Sequence, residues 1–547
     1  MATWKALTAT AVGFGLLMQG AMSGQQKASA KPMTLTTIDY IEIRQLASRY
    51  AFAVDTGGNN GYDYADLFSA DGEFMRPYAK GRDQLASLAR GGRLGPQNIV
   101  HYIMNHVIEP TPDGAIGKQY LIELNWDLNR DQAGRGQGQA APAPDTQRQN
   151  PRGLGPNRWD LVGRKAGELA SVGGHYEDVY VKTTDGWRFK KRDFVPSKSS
   201  ADPAPPPPPR VRDTSQQTAV TPPLPTMFVE PTKQSTLTAM DYLQIQQLVS
   251  SYGHALDSGY GKGENGTAYA DLYTPDATFG NNVGRERLIE VAKIEPRGPD
   301  YVRHYLFNHV IEPTPEGVKG KEYLIVIDVG ENGKPSTLYL GGHYEETYAK
   351  TADGWRMKNR RLFPPRSGPQ PATTQAQSTP AAPHRAEAGA EKEAKRSTLT
   401  DADYMAIQQL VARAAYALDG ATDKGQAFAR LFTSDGVLRA KLPQPYEIKG
   451  REQLAAYAMG DLTHRGPAYV RDYTTNHIIF PAPEGATGRT YLIWIEVGEN
   501  GNPGVVQSGG RYEDVYVKTA DGWRIKSRTF VPSKLGPREA WEYTPAS

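Results

Sequence analysis

His101-Tyr102-Ile103-Met104-Asn105-His106-Val107-Ile108 returns as His304-Tyr305-Leu306-Phe307-Asn308-His309-Val310-Ile311, and again as Asp472-Tyr473-Thr474-Thr475-Asn476-His477-Ile478-Ile479. Each run is read as a strand, the side-chain period having changed to two. A Pro/Gly turn follows, then a second strand at Tyr120 to Leu124, Tyr323 to Ile327 or Tyr491 to Ile495. The last pair of strands runs from Gly174-His175-Tyr176-Glu177 through Phe194, from Gly342-His343-Tyr344-Glu345 through Phe363, and from Gly510-Arg511-Tyr512-Glu513 through Phe530. Asp185-Gly186-Trp187, Asp353-Gly354-Trp355 and Asp521-Gly522-Trp523 mark the hairpin inside each pair.

Upstream the period is helical. Leu35-Thr36-Thr37-Ile38-Asp39-Tyr40, Leu237-Thr238-Ala239-Met240-Asp241-Tyr242 and Leu399-Thr400-Asp401-Ala402-Asp403-Tyr404 each place Thr three residues before Asp. That spacing predicts a capping box, with Asp in place of the usual Glu and a weaker reciprocal half. Leu46, Tyr50 and Ala53 continue one apolar stripe, Leu248, Tyr252 and Ala255 the second, Leu410, Ala414 and Ala417 the third. The helices run to Asp55, Asp257 and Asp419. A short second helix, a turn at Asp71, Asp276 or Asp435, and a third helix opening at Gly81-Arg82, Gly284-Arg285 or Gly450-Arg451 complete the helical half. Helices first and about four long strands after them define an α+β module of about 130 residues, large enough to own a core.

The 547-residue chain is therefore three modules, at about 33–198, 235–365 and 398–536. Asn105 to Gly174 spans 69 positions against 34 in the other two copies, so the first module carries an inserted loop at about 130–165. The Pro-rich segment 199–234, with Pro205 to Pro209, is expected to be extended and to hold the first two modules apart. A second linker covers 366–397. Gly (56) and Pro (41) exceed their usual share because of these segments. Ala6 to Met18 is apolar, follows Lys5 and is too short to span a bilayer; residues 1–30 read as a signal peptide and imply a periplasmic or secreted protein. Sixty-three basic against 60 acidic residues argue against nucleic acid and anionic membranes as partners. The absence of Cys excludes disulfides, thiolate nucleophiles and cysteine metal ligands.

The helix ending at Asp55, the Leu67-Phe68…Asp71-Gly72 turn, His101…Asn105-His106 and the Tyr176-Glu177-Asp178-Val179-Tyr180…Asp185-Gly186-Trp187-Arg188 hairpin together resemble the SnoaL-like branch of the NTF2-like superfamily. The resemblance covers about 400 residues in three copies and implies three tandem cone domains, each with helices packed in a curved mixed β-sheet around an apolar cavity. Enzymes of that group pair an Asp at the end of the first helix with a His at the start of the strand after the third. The matching positions here are Asp55 with His101 and Asp257 with His304, which implies catalytic acid–base dyads. His titrates near neutrality, and a carboxylate orients it and raises its basicity for proton abstraction beside a carbonyl. The third copy keeps Asp419 but has Asp472 where the His belongs, so it is expected to lack the dyad.

Tyr50, Tyr252, His175, His343, Asp419 and Asp472 are the expected ligand contacts, the two histidines joining His101 or His304 if all point inward. On an unbroken strand His106 faces away from His101, which favours a structural role unless a bulge intervenes. No tight metal-ligand spacing appears and no cofactor is implied. The expected activity is that of a lyase or isomerase acting on a small apolar or aromatic carbonyl compound; the competing reading is a secreted ligand-binding or protein-interaction scaffold. By family analogy two modules would make a pseudo-dimer, or the chain a homo-oligomer.

Overall fold

In the computed structural model the described residues are 33–92, 99–125, 174–196, 237–258, 266–293, 302–315, 317–328, 337–363, 399–441, 445–459, 470–496 and 505–532. The expected signal segment, inserted loop and both linkers lie outside them. The first module comprises helices α1 (Thr37–Thr56), α2 (Tyr62–Ala65) and α3 (Arg82–Ala89), and strands β1 (Phe68–Met75), β2 (Tyr78–Lys80), β3 (Ile99–Thr111), β4 (Gly114–Asn125), β5 (Gly174–Thr183) and β6 (Gly186–Pro196). The second has α4 (Ala239–Ser258), α5 (Thr267–Ala270), α6 (Arg285–Lys293), β7 (Tyr273–Phe279), β8 (Asn282–Val283), β9 (Val302–Thr314), β10 (Gly317–Asp328), β11 (Thr337–Thr351) and β12 (Gly354–Phe363). The third has α7 (Asp401–Gly420), α8 (Gln426–Ala429), α9 (Gly450–Met459), β13 (Phe432–Ala440), β14 (Tyr446–Lys449), β15 (Val470–Ala482), β16 (Gly485–Glu496), β17 (Val505–Thr519) and β18 (Gly522–Pro532).

Each sheet is mixed. The first runs β2-β1-β6-β5-β4-β3, and the others repeat that order. Only the β1–β6 pairing and its equivalents are parallel; four long antiparallel strands form the rest, with a short hairpin at the edge. The helix starts are tied to the hairpins. Thr36 and Asp39 form both halves of the capping box, the Asp39 carboxylate accepting the Thr36 N–H at 2.9 Å. Asp39 is held from the other side as well: its Oδ1 accepts from Lys182 Nζ at 2.6 Å and from Trp187 Nε1 at 3.0 Å. Asp241 and Asp403 repeat the arrangement with Lys350 and Trp355, and with Lys518 and Trp523. Gly186, Gly354 and Gly522 sit at φ near +100°, which is why the hairpin turn carries Gly beside the Trp.

The three modules do not stand apart. Gln45 of α1 clamps β9 of the second module, accepting from Ile311 N–H at 2.8 Å and donating to His309 O at 3.0 Å. Gln247 of α4 does the same to Ile479 of β15, and Gln409 of α7 to His106 and Ile108 of β3. Contacts therefore run first to second, second to third and third to first, and close a ring. One apolar core includes Tyr102 and Tyr120 with Tyr305, Phe307, Tyr323, Tyr473 and Tyr491. This corrects the expected pseudo-dimer, since each helix face meets one neighbour's strand while the module's own strand receives the other's. It also corrects the expected separation by the 199–234 linker, because β3 and β9 pack directly through Tyr102 and Phe307, 5.3 Å apart.

Asn105, Asn308 and Asn476 adopt φ of +54°, +55° and +50°, and the strand register slips by one residue at each. These are β-bulges, and Asn is among the few residues that tolerate the left-handed region. Each bulged Asn caps the neighbouring module's strand: Asn308 Oδ1 accepts from Ile103 N–H, Asn476 Oδ1 from Leu306 N–H and Asn105 Oδ1 from Thr474 N–H, at 3.0–3.2 Å. Among the described residues no helix is long and apolar enough to cross a membrane.

Candidate functional site

The end of α1 brings Asp55 against the start of β3. Asp55 is fully buried, and its Oδ1 lies 2.5 Å from His101 Nδ1. Its Oδ2 accepts the His101 backbone N–H at 3.0 Å and the hydroxyl of Tyr323, from the second module, at 2.8 Å. The second module repeats this: Asp257 Oδ1 is 2.6 Å from His304 Nδ1, and Oδ2 accepts from His304 N–H and from Tyr491 of the third module. In the third, Asp419 accepts the Asp472 backbone N–H and the Tyr120 hydroxyl of the first module, while Asp472 accepts from Tyr512. Each terminal aspartate is thus completed by a tyrosine from the next module round the ring. The side chain three residues before that aspartate, one turn back along the helix, packs on the same tyrosine: Phe52 on Tyr323, His254 on Tyr491 and Tyr416 on Tyr120, each at 4.1 Å between centroids.

The two dyads differ at the far imidazole nitrogen. His101 Nε2 lies 3.3 Å from Glu123 Oε1, so the ring sits between two carboxylates. Burial opposes the imidazolium, but Asp55 and Glu123 outweigh it and raise the His101 pKa well above the usual histidine value. In the second module the residue paired with His304 across the ladder is Val326. Among the described residues His304 Nε2 makes no hydrogen bond, and Tyr252 stands edge-on to the ring at 6.2 Å.

Tyr50 and Tyr252 point inward and bond to Tyr176 and Tyr344 at 3.1 and 2.9 Å. Beneath each pair lies a fully buried arginine that the sequence reading did not single out. The Arg192 guanidinium stacks 3.9–4.1 Å from Tyr50, Tyr176 and Phe189 and makes two bonds to Asp178. Arg528 bonds Asp514 in the same way, and Arg360 lies between Glu322 and Glu346 over Tyr252 and Tyr344. Recurrence of Arg at one position in three copies, Arg192, Arg360 and Arg528, was the available signal.

His175 and His343 do not join the dyads. Tyr176 and Tyr344 take the inward positions, so strand alternation turns both histidines to the opposite face. There His175 contacts Glu177 at 3.3 Å, and His343 stacks on Phe363 and meets Phe52 of the first module. The bulge has the reverse effect on His106, which it returns to the inner side: His106 Nε2 is 2.9 Å from the Tyr180 hydroxyl. Tyr180 spends its one proton on Asp178 at 2.7 Å, so His106 donates from Nε2 and keeps Nδ1 unprotonated. His309–Tyr348–Glu346 and His477–Tyr516–Asp514 follow the same chain. His309, Glu322 and Glu346 are close enough for their ligand atoms to share a cation, but the Arg360 guanidinium already sits against both carboxylates.

A helix-covered, curved mixed sheet whose first helix delivers an acid to the first long strand defines an NTF2-like cone domain, present here three times. The chain belongs to the SnoaL-like domain family, whose profile matches residues 36–193, 238–361 and 400–529. Among solved structures, an NTF2-like protein with a cystatin-like fold from Novosphingobium aromaticivorans is 18% identical, covering 25% of this chain and 87% of its own, with a TM-score of 0.23. ActVI-ORFA from Streptomyces coelicolor is 21% identical over 24% of this chain and 98% of its own, TM-score 0.22. A Catenulispora acidiphila protein in complex with S-DNPA is 26% identical over 24% of this chain and 95% of its own, TM-score 0.21. No curated protein matches the chain.

Proposed function

We propose that the second module is an acid–base site for a small, apolar, carbonyl-containing compound, with His304 as the base that removes a proton beside the carbonyl and Asp257 as the group that orients it. The observation behind this reading is the asymmetry of the His304 ring: Nδ1 is held by Asp257 at 2.6 Å, while Nε2 has no protein partner among the described residues. A base needs that free nitrogen within reach of the substrate proton. His101 is poorly suited to the same task, because Glu123 stands against its Nε2 and holds the proton there. The third module has no histidine in this position and contributes Tyr491 to the second module's aspartate instead.

The reading is tested by following deuterium exchange at the carbon beside the carbonyl of 2-tetralone, by NMR in heavy water, with the whole chain as catalyst. His304→Ala is expected to slow exchange by about 10²-fold or more, and His101→Ala to change it little. Exchange at the native rate in His304→Ala removes the proposal. A second reading, a non-catalytic scaffold, is favoured by one specific observation: Arg192, Arg360 and Arg528 with their tyrosines occupy the inner part of each cone. Binding of 2-tetralone without exchange would support that alternative.

A further inference from the structure

Where β3, β9 and β15 meet at the centre of the ring, the bulges and the three first helices enclose a cavity of about 180 Å³, partly open to solvent. All three modules line it, and it is separate from the dyads. Its volume is well below the roughly 300 Å³ at which pockets for drug-sized ligands begin.

The lining is nearly threefold in backbone, and at two of the positions where the side chains differ one copy carries a charged residue and the others neutral ones. On the helices Gln246 and Gln408 are matched by Arg44; on the second long strands Gln119 and Thr490 are matched by Glu322. Arg44 bonds the neutral groups Gln408 Oε1 and Met405 Sδ, and among the described residues no carboxylate lies within ion-pair distance of it. Burial draws its pKa down to about 10, so it stays cationic at neutral pH. Arg44 is only partly buried, so solvent screens its charge in part, yet a cation held there with no counter-ion remains a ready partner for an anion. Four further side chains on the same wall are at least nine-tenths buried and each has an atom with no partner: Gln119 Oε1, Asn308 Nδ2, Glu322 Oε2 and Thr490 Oγ1. Buried polar atoms are normally bonded. The three histidines of the wall are neutral, burial holding His309 and His477 down to about 3 and His106 well below its usual value, so they add no positive charge that would satisfy an anion in Arg44's place.

We propose that this axial cavity binds one small carboxylate that also carries a hydroxyl or amino group. The ligand's carboxylate pairs with Arg44, where a guanidinium can make two parallel bonds. Its hydroxyl or amine donates to Gln119 Oε1 or Glu322 Oε2, and Asn308 Nδ2 and Thr490 Oγ1 supply the remaining donors. Waters could satisfy the amides and the hydroxyl; they do not balance the charge on Arg44.

The test is calorimetric titration of the full chain with L-lactate, L-serine and acetate. L-lactate or L-serine is expected to bind at least tenfold more tightly than acetate, which offers no donor. Arg44→Gln, which installs the residue that the other two modules carry at this position, is expected to weaken binding at least tenfold, while His304→Ala leaves it intact. Absence of binding by both L-lactate and L-serine, or equal binding by the Arg44→Gln variant, overturns the proposal. A crystal structure of the native chain soaked in L-lactate decides the matter independently of any variant: ligand density against Arg44 supports the site, and water alone in the cavity overturns it.

Discussion

Asp39 shows how much a single carboxylate can join. It caps α1 and accepts from the hairpin's Lys182 and Trp187. Burial opposes its ionisation, but Lys182, Thr36 and Trp187 prevail and lower its pKa to about 2. A depressed carboxylate contributes stability that is present above the unfolded pKa, near 3.9, and is lost as pH falls through the folded value. Asp39→Asn is therefore expected to cost about 1–3 kcal/mol in urea unfolding at pH 6, with the gap to the native chain narrowing between pH 4 and pH 2. His101 has the opposite sign. Its raised pKa makes its contribution complete below about 6.5 and loses it as pH rises through the folded value. Glu123→Gln should lower that pKa, read from the His101 ring resonances across a pH titration; an unmoved midpoint would mean that Glu123 does not hold the proton.

At the level of elements the bulge decides most. Asn308 takes a left-handed φ, and its Oδ1 receives the Ile103 amide of another module. Asn308→Gly keeps the backbone conformation and loses the bond; Asn308→Ala loses both. Thermal or urea unfolding is expected to rank them native, Gly, Ala, with the Gly variant down by about 1 kcal/mol and the Ala variant by about 1–3 kcal/mol more. The helices, the long strands and the Asp-Gly-Trp hairpins were legible in the sequence because each rests on local chemistry repeated three times. The direction of His106 was not, because one inserted residue reverses strand alternation and nothing in the apolar run announces it except Asn at the same place. The outward turn of His175 is a matter of register: Tyr176 and His175 are adjacent, and only the folded sheet shows which of them the core takes. The pairing of Asp55 with His101 followed from resemblance, whereas Glu123 could be found only by the ladder that sets it opposite His101.

For the whole molecule the ring makes the modules interdependent. Tyr491 belongs to the third module and bonds the second module's Asp257 at 2.9 Å. Tyr491→Phe is expected to slow the proposed exchange reaction about tenfold, the equivalent of one hydrogen bond of about 1.4 kcal/mol, although it lies in a module with no histidine at the dyad position. A normal rate in this variant would show that Asp257 is held well enough by the His304 backbone alone. Such long-range partners were invisible in the sequence because each module reads as complete by itself; its own periodicity accounts for its own core and gives no account of Gln45, Gln247 and Gln409, whose bonds all go elsewhere.

The closed ring has a consequence for dilution. Three separate cone domains held by these same contacts would dissociate as their concentration fell, and each tyrosine–aspartate bond would go with them. Joined in one chain, every module meets its neighbours at an effective concentration set by the tether and not by the protein concentration. The composite sites should therefore survive at any protein concentration, and specific activity per chain should not change on serial dilution.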